Sequence, residues 1–263
     1  MLAPLRYTDS GRPELPLMIF VHGWPDTAKL FQMQVEHFAP KYRCICIDLP
    51  AFAANDASPG NDFPVLVARL TETLRQLKAS PATTVLVGHD WGAYLVYLFD
   101  QTHPGSVSRL VTMDVGAHFR PHNVKHGILV VSYQWWLVAA FFIGKILPPL
   151  GNAMSRCFAN YARAPEGAAT RSRMNYPYFY FWRARFFAKW RAAIPARFTP
   201  SVPLLYLFGA AKPYHFHSPR WESMVAKWPG SKSVGMKKCD HWLMVRDPAE
   251  TNRRIEDWLA GKN

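Results

Sequence analysis

The stretch Thr83–Phe99, TTVLVGHDWGAYLVYLF, decides the fold. A β-branched apolar run ends in Gly88-His89-Asp90-Trp91-Gly92, and an apolar pattern with helical spacing begins at once. Such a run closed by glycine reads as a buried strand, and the periodic segment after it reads as a helix. In G-x-D-x-G the central residue occupies a sharp strand-to-helix turn, whose flanking glycines remove side chains that would strike the neighbouring strand and helix. Asp90 then stands above the sheet beside a helix N-terminus, which favours an anion. The bland alternative is an N-cap, because aspartate commonly precedes helices. The motif alone does not choose between a nucleophile and a cap; its companions do.

Outward from this turn, short apolar runs alternate with helical patterns. Leu17–His22, Tyr42–Asp48, Val107–Asp114, Pro203–Gly209 and Ser231–Cys239 read as further strands, with helices in AKLFQMQVEHFA, FPVLVARLTETLRQLK and, after Pro248, AETNRRIEDWLAG. Alternation of this kind predicts an α/β fold with a mostly parallel central sheet covered by helices on both faces. It breaks between the fourth and fifth strands. Residues 118–200 are helical, aromatic and basic, and they read as a lid inserted over the C-terminal edge of the sheet, where open α/β sheets bind ligands. The core is then 1–117 with 201–263. Within the lid, Gly127–Gly144 runs for eighteen residues without a charge, which reaches the lower limit of about 17–25 for a membrane span. Ser132, Tyr133 and Gln134 interrupt it, and a helix lining an apolar channel is the preferred reading.

Charge is concentrated in the same place. The chain carries a formal +13, and 118–200 alone holds twelve Lys/Arg against one acid, Glu166. No nucleic-acid-binding motif accompanies this excess, so anionic lipid or a substrate is expected and no nucleic acid, with peripheral membrane contact through the basic aromatic lid; a small apolar electrophilic substrate is expected from the chemistry of Asp90 rather than from this charge. The first residues, MLAPLRYTDSGRPELP, show no apolar core after a basic start, so no signal peptide is read. Four cysteines make no disulfide framework, and a reducing, cytoplasmic setting is expected.

Two companions flank the elbow. His22-Gly23-Trp24-Pro25-Asp26 follows the first clear strand, and His241 follows the last strand in KKCDHWLMVRDP. The chain order nucleophile, acid, histidine, with an oxyanion hole built from the N–H after the nucleophile and one from the earlier loop, belongs to one arrangement. H-G-W-P-D, G-H-D-W-G and a late D-H-W together resemble the α/β-hydrolase superfamily over essentially the whole chain, most of all its epoxide hydrolase and haloalkane dehalogenase branch. The resemblance implies Asp90 as nucleophile, His241 as base, and Trp24 and Trp91 as oxyanion N–H donors. These enzymes often take the third residue from a turn like G-x-x-D-P. Here that turn is Gly209-Ala210-Ala211-Lys212-Pro213, and some relatives supply the acid one strand earlier. Asp114, 24 residues beyond Asp90, is therefore the expected acid.

An aspartate nucleophile restricts the chemistry. Attack on an ester carbonyl would give a reactive anhydride, whereas attack on saturated carbon gives an ordinary alkyl ester that histidine-activated water can cleave. Epoxide opening needs an acid for the developing alkoxide. RMNYPYFYFW resembles the second lid-tyrosine motif of epoxide hydrolases, with Tyr176 and Tyr178 flanking the aligned Pro177, and SYQWWL resembles the first, with Trp136 at the tyrosine position and Tyr133 as substitute. These four are the lid proton-donor or substrate-binding candidates. Haloalkane dehalogenation by the same covalent route is the second reading, using indole donors from Trp91, Trp24 and Trp136. A catalytically silent binding or membrane-associated protein is the third, suggested by Lys212 and by the DLPAFAANDAS turn, where relatives are glycine-rich. His89, His215 and His217 read as packing or loop contacts, and neither a metal nor a cofactor is implied.

Overall fold

The computed structural model describes residues 2–56, 58–187, 195 and 198–262. Lys189, Arg191 and Arg197 of the basic stretch lie outside them. The six expected strands form as β2 (Leu17–Val21), β3 (Arg43–Asp48), β4 (Val85–His89), β5 (Arg109–Met113), β6 (Leu204–Gly209) and β7 (Lys232–Met236). A further strand, β1 (Arg6–Ser10), pairs antiparallel with β3 at the sheet edge. Its sequence, RYTDS, is polar and largely exposed, so it carries no apolar periodicity to announce it. Arg43 closes over this edge on Asp9 at 2.5 Å, a charged cover of the kind that blunts exposed strands.

The sheet order is β1-β3-β2-β4-β5-β6-β7, and every pairing apart from β1–β3 is parallel. The central strands β2, β4 and β6 are buried along their whole length, which is why each reads as a continuous apolar run rather than an alternating one. Helices α1 (Gln32–Phe38), α2 (Phe63–Gln76), α3 (Trp91–Thr102), α7 (Pro219–Lys227), α8 (Leu243–Arg246) and α9 (Pro248–Leu259) flank the sheet. Two apolar clusters pack on it, one around Leu70, Tyr97 and Trp221, the other around Phe20, Phe31 and Ile255.

Between β5 and β6 the chain runs through α4 (Val124–Ile146), α5 (Pro148–Tyr161) and α6 (Tyr176–Phe186). This helical segment is tied to the core by cations. Arg173 donates to the carbonyls of Ala51, Ala53 and Ala54, Arg171 donates to Ala54, and Arg183 pairs with Asp62. The alanine-rich turn that receives them holds Ala51 at φ 69°, a conformation costly for a residue with a Cβ. The Asp56 carboxylate accepts from the Ala51 N–H at 3.0 Å and helps fix that turn. Part of the basic excess thus serves to dock the helices on the core.

Candidate active site

The strand order reverses between β2 and β4, a switch point at which α/β sheets open a crevice beyond their C-terminal ends. Asp90 follows β4 there, the His22–Asp26 loop follows β2, Asp114 follows β5 and His241 follows β7. The backbone at Asp90 takes φ 52°, ψ −120°. Its carboxylate makes no capping bond to α3, so the N-cap alternative does not describe it. The turn is possible because α3 lies against β2: a Cβ on Gly92 would come within 2.0 Å of the Val21 carbonyl oxygen.

The two carboxylate oxygens of Asp90 have different neighbours. Oδ2 accepts the Trp24 backbone N–H at 2.8 Å, while Oδ1 lies 3.8 Å from His241 Nε2. A Cβ built on Gly23 would fall 2.6 Å from both Asp90 Oδ2 and the Trp91 nitrogen, so the loop after β2 packs directly against the elbow. One oxygen of the carboxylate thus already rests on a backbone N–H donor of that loop. The side chains of Asp90 and His241 are not fully enclosed, retaining 14% and 13% exposure.

Asp114 is fully buried at φ 67° and accepts from His241 Nδ1 at 2.5 Å. Burial pushes its carboxyl upward, but the Lys212 ammonium and the His241 imidazole overcome this and hold it well below the usual carboxylate range. An ionised carboxylate has no proton to give, so Nδ1–H donates, and it is Nε2, on the side of Asp90, that gains or loses the ring's second proton. Burial presses the His241 pKa down, but the Asp114 charge and hydrogen bond, aided by Asp90, raise it above the ordinary value. The Asp90 pKa is raised, chiefly by burial. Lys212, which stands where the resemblance leads one to expect an acid, pairs with the same Asp114 Oδ2 that holds His241, while Asp114 Oδ1 accepts the Gly209 N–H at 3.0 Å. The lysine therefore does not displace the acid; it supports the acid from one strand further along.

The four lid candidates separate into two pairs. Tyr178 is buried, 5.1 Å ring to ring from Trp91 and 5.8 Å from Trp24, and Tyr133 lies 6.2 Å from Tyr178. Burial raises both phenol pKa values, and the Asp90 charge raises them further, so both hydroxyls stay protonated in its field. Tyr176 does not join them. Its ring packs on Gly60 and on Phe52 at 5.7 Å, and its charged neighbours are Arg69 and Asp56, because residues two apart on a helix lie about 200° apart around its axis and so face different sides of the first turn of α6. Trp136 is also placed elsewhere: it is 45% exposed, and its indole donates to the Met154 carbonyl at 3.0 Å on the outer face of α4.

Three further residues join the site. Asn175 is buried between the helical segment and the His22–Asp26 loop; it accepts the Trp24 indole N–H at 2.8 Å and donates to Ser155 Oγ and the Leu137 carbonyl. Its place directly before Tyr176 in the R-M-N-Y motif was the available signal. Asp26 is buried against the Trp242 indole at 2.9 Å, and burial drives its pKa up to about 7. His89 is fully buried and donates through Nε2 to the His241 carbonyl at 3.0 Å, holding the loop that carries the imidazole. His217 meets the Tyr206 hydroxyl at 2.7 Å and Glu222 at 2.9 Å, a loop-to-helix contact.

A family model described as the alpha/beta hydrolase fold matches residues 16–248. Among curated proteins, Epoxide hydrolase 1 of Caenorhabditis elegans is 29% identical over 97% of this chain and 67% of its own length. Epoxide hydrolase 3 of Xenopus tropicalis is 32% identical, but over 55% of this chain and 38% of its own. Epoxide hydrolase A of Mycobacterium tuberculosis aligns with 98% of this chain and 94% of its own length at 23% identity. Among solved structures, an epoxide hydrolase from Bacillus megaterium superposes with a TM-score of 0.71 at 18% identity, covering 97% of this chain and 96% of its own. The haloalkane dehalogenase DbeA from Bradyrhizobium elkani reaches 0.68 at 20%, covering 97% and 93%. With the elbow, the sheet order and the family match over most of its length agreeing, the chain belongs to the alpha/beta hydrolase fold family.

Proposed function

We propose that this protein hydrolyses epoxides to diols through an alkyl ester on Asp90. The observation that carries the reading is the placement of two protonated phenols, Tyr178 and Tyr133, in the field of a carboxylate whose Oδ1 is unbound by the oxyanion donors. In the first step Asp90 Oδ1 forms a bond to a ring carbon as that carbon's bond to the epoxide oxygen breaks. The electron pair goes to the ring oxygen, which takes a proton from a tyrosine hydroxyl. In the second, His241 Nε2 takes a proton from water, whose oxygen attacks the Asp90 carboxyl carbon. The oxyanion forms on Oδ2, which already accepts the Trp24 N–H, with the Trp91 N–H as the second donor. Collapse releases the diol, with the His241 proton completing its hydroxyl; the water's other proton, left on the Asp90 carboxyl, is lost to solvent as the tyrosine regains its own, which restores the starting carboxylate and phenol. Esterification also removes one of the two anions that hold a proton on His241, at the step where a neutral imidazole is needed.

Dehalogenation by the same route is less well served. A leaving halide needs convergent N–H donors, yet the Trp24 indole is committed to Asn175 and the Trp136 indole to Met154, which leaves the Trp91 indole alone of the three. The assembled Asp90, Asp114 and His241 also weigh against a silent binding protein. A reducing cytoplasm remains the setting we favour, with the cysteines Cys44, Cys46, Cys157 and Cys239 all free.

Single turnover in ¹⁸O-water tests this reading. The label should enter Asp90, and the first diol should carry an unlabelled oxygen from the carboxylate. Label in the first diol instead would mean direct attack by water on the epoxide. Halide release from haloalkanes with no diol from any epoxide would transfer the assignment to the dehalogenase reading.

A further inference from the structure

We propose that the outer face of the α4–α6 helical segment docks on an anionic lipid bilayer. Soluble domains seldom display contiguous apolar patches without a partner to cover them. Of the eighteen exposed large hydrophobic side chains among the described residues, fourteen lie between Phe119 and Phe187. They are not scattered. Val124, Ile128, Val131, Trp135, Phe142 and Ile146 follow helical spacing along one face of α4, a stripe about 33 Å long at 1.5 Å per residue. Phe186, 62% exposed, extends the patch sideways from α6, its ring 6.1 Å from that of Trp135. Leu147 and Leu150 continue it past the end of α4.

The charges around the stripe name the partner. Lys125 and Lys145 are exposed near its two ends, and Arg120 and Arg185 are exposed beside it. Lys145 lies over the rings of Phe141 and Phe142 at 4.4 and 5.3 Å, its stem along the apolar surface and its ammonium at the edge. Glu166 is the one acid between residues 118 and 200. A second copy of this chain would set the same cations against one another without carboxylates to answer them. Acidic headgroups supply the missing anions, while Trp and Phe side chains suit the boundary beneath them.

The helix lies on the surface rather than crossing it. Val124–Ile146 is long and apolar enough for a span. Its other face, however, buries Val130, Leu137 and Ala140, and it is bonded to its neighbours by Trp136 to Met154 and by Asn175 to Leu137. Insertion as a span would break these contacts, whereas docking flat keeps them. A bilayer against this face would also present apolar molecules next to the segment that carries Tyr133 and Tyr178.

The test is flotation of the full chain with phosphatidylcholine vesicles, with and without phosphatidylserine. The wild type is expected to float with the serine-containing vesicles and to be released by high salt. Ile128→Asp with Ile146→Asp, at positions 62% and 82% exposed, should weaken partition at least about tenfold with an unchanged thermal midpoint. Lys125→Glu with Lys145→Glu should remove the preference for phosphatidylserine. Failure of the wild type to float with either vesicle, or partition unaltered by both variants, would overturn the proposal. So would self-association that the aspartate pair abolishes, which would give the face to a second copy. The readout is partition rather than turnover, so failure of the epoxide reading leaves this test intact.

Discussion

Replacing Lys212 with methionine should change when His241 can act as a base, not whether it is held in place. Lys212 and His241 contact the same Asp114 oxygen, so their charges sit on the order of 5 Å apart, worth about 3 kcal/mol of repulsion at an effective dielectric constant of about 20. The lysine side chain is only 11% exposed, so solvent screening removes a modest part of this. Lys212 holds the His241 pKa down, and its removal makes the imidazole more basic. A protonated His241 cannot take a proton from water. In the variant, hydrolysis of the alkyl-enzyme at neutral pH should therefore slow by about 10- to 100-fold. It should recover at higher pH, while formation of the ester by Asp90 is affected much less. Stopped-flow fluorescence resolves the two steps across a pH series. Lys212→Arg, which keeps the charge, should leave the pH profile near that of the wild type. A hydrolysis profile in Lys212→Met that is unmoved, or that moves to lower pH, would refute the reasoning.

Other outcomes rest on the same geometry. His241→Gln should trap one equivalent of alkyl-enzyme per site, seen as added mass on the peptide carrying Asp90; in the wild type, hydrolysis should be lost as pH falls through the raised His241 range. Gly23→Ala, whose new Cβ would lie 2.6 Å from Asp90 Oδ2, should lower kcat/KM by about a hundredfold while the chain stays folded by circular dichroism. Tyr178→Phe and Tyr133→Phe should each slow ester formation but not its hydrolysis, with Tyr176→Phe near neutral in the same single-turnover assay. Asp26 bears on stability: its carboxyl rises from 3.8 to about 7 in the fold, so the fold favours its protonated form and loses stability as pH climbs from 4 to 7. Asp26→Asn should flatten that decline and gain up to roughly 4 kcal/mol at pH 8, measured by denaturant titration.

Much of this architecture was legible because backbone geometry leaves local marks. A strand buried on both faces must be continuously apolar, and a turn pressed against a neighbouring strand must be glycine, so β4, Gly92 and the elbow at Asp90 could be read from a single stretch. Asp114 was legible as the residue ending β5, 24 residues past Asp90. β1 was not, since an exposed antiparallel edge strand imposes no apolar period on RYTDS. The side to which each lid aromatic turns was hidden as well. Tyr176 and Tyr178 are equivalent in the sequence, and it takes the packing of α6 on Gly60 and on Trp91 to send one into the interface with the core and the other toward Asp90.

Lys212 shows where the division falls. The sequence by itself placed a cation at the position usually held by an acid and could register only a departure from pattern. The juxtaposition of β5 and β6 brings Lys212 and His241 to one oxygen of Asp114 and turns that departure into a support for the triad. Chain order and residue type fix which groups are available and which turns are possible, because those depend on neighbours along the chain. Which groups meet, and so what each carboxylate and imidazole does, depends on contacts between residues as far apart as Asp114 and His241, and only the folded sheet supplies them.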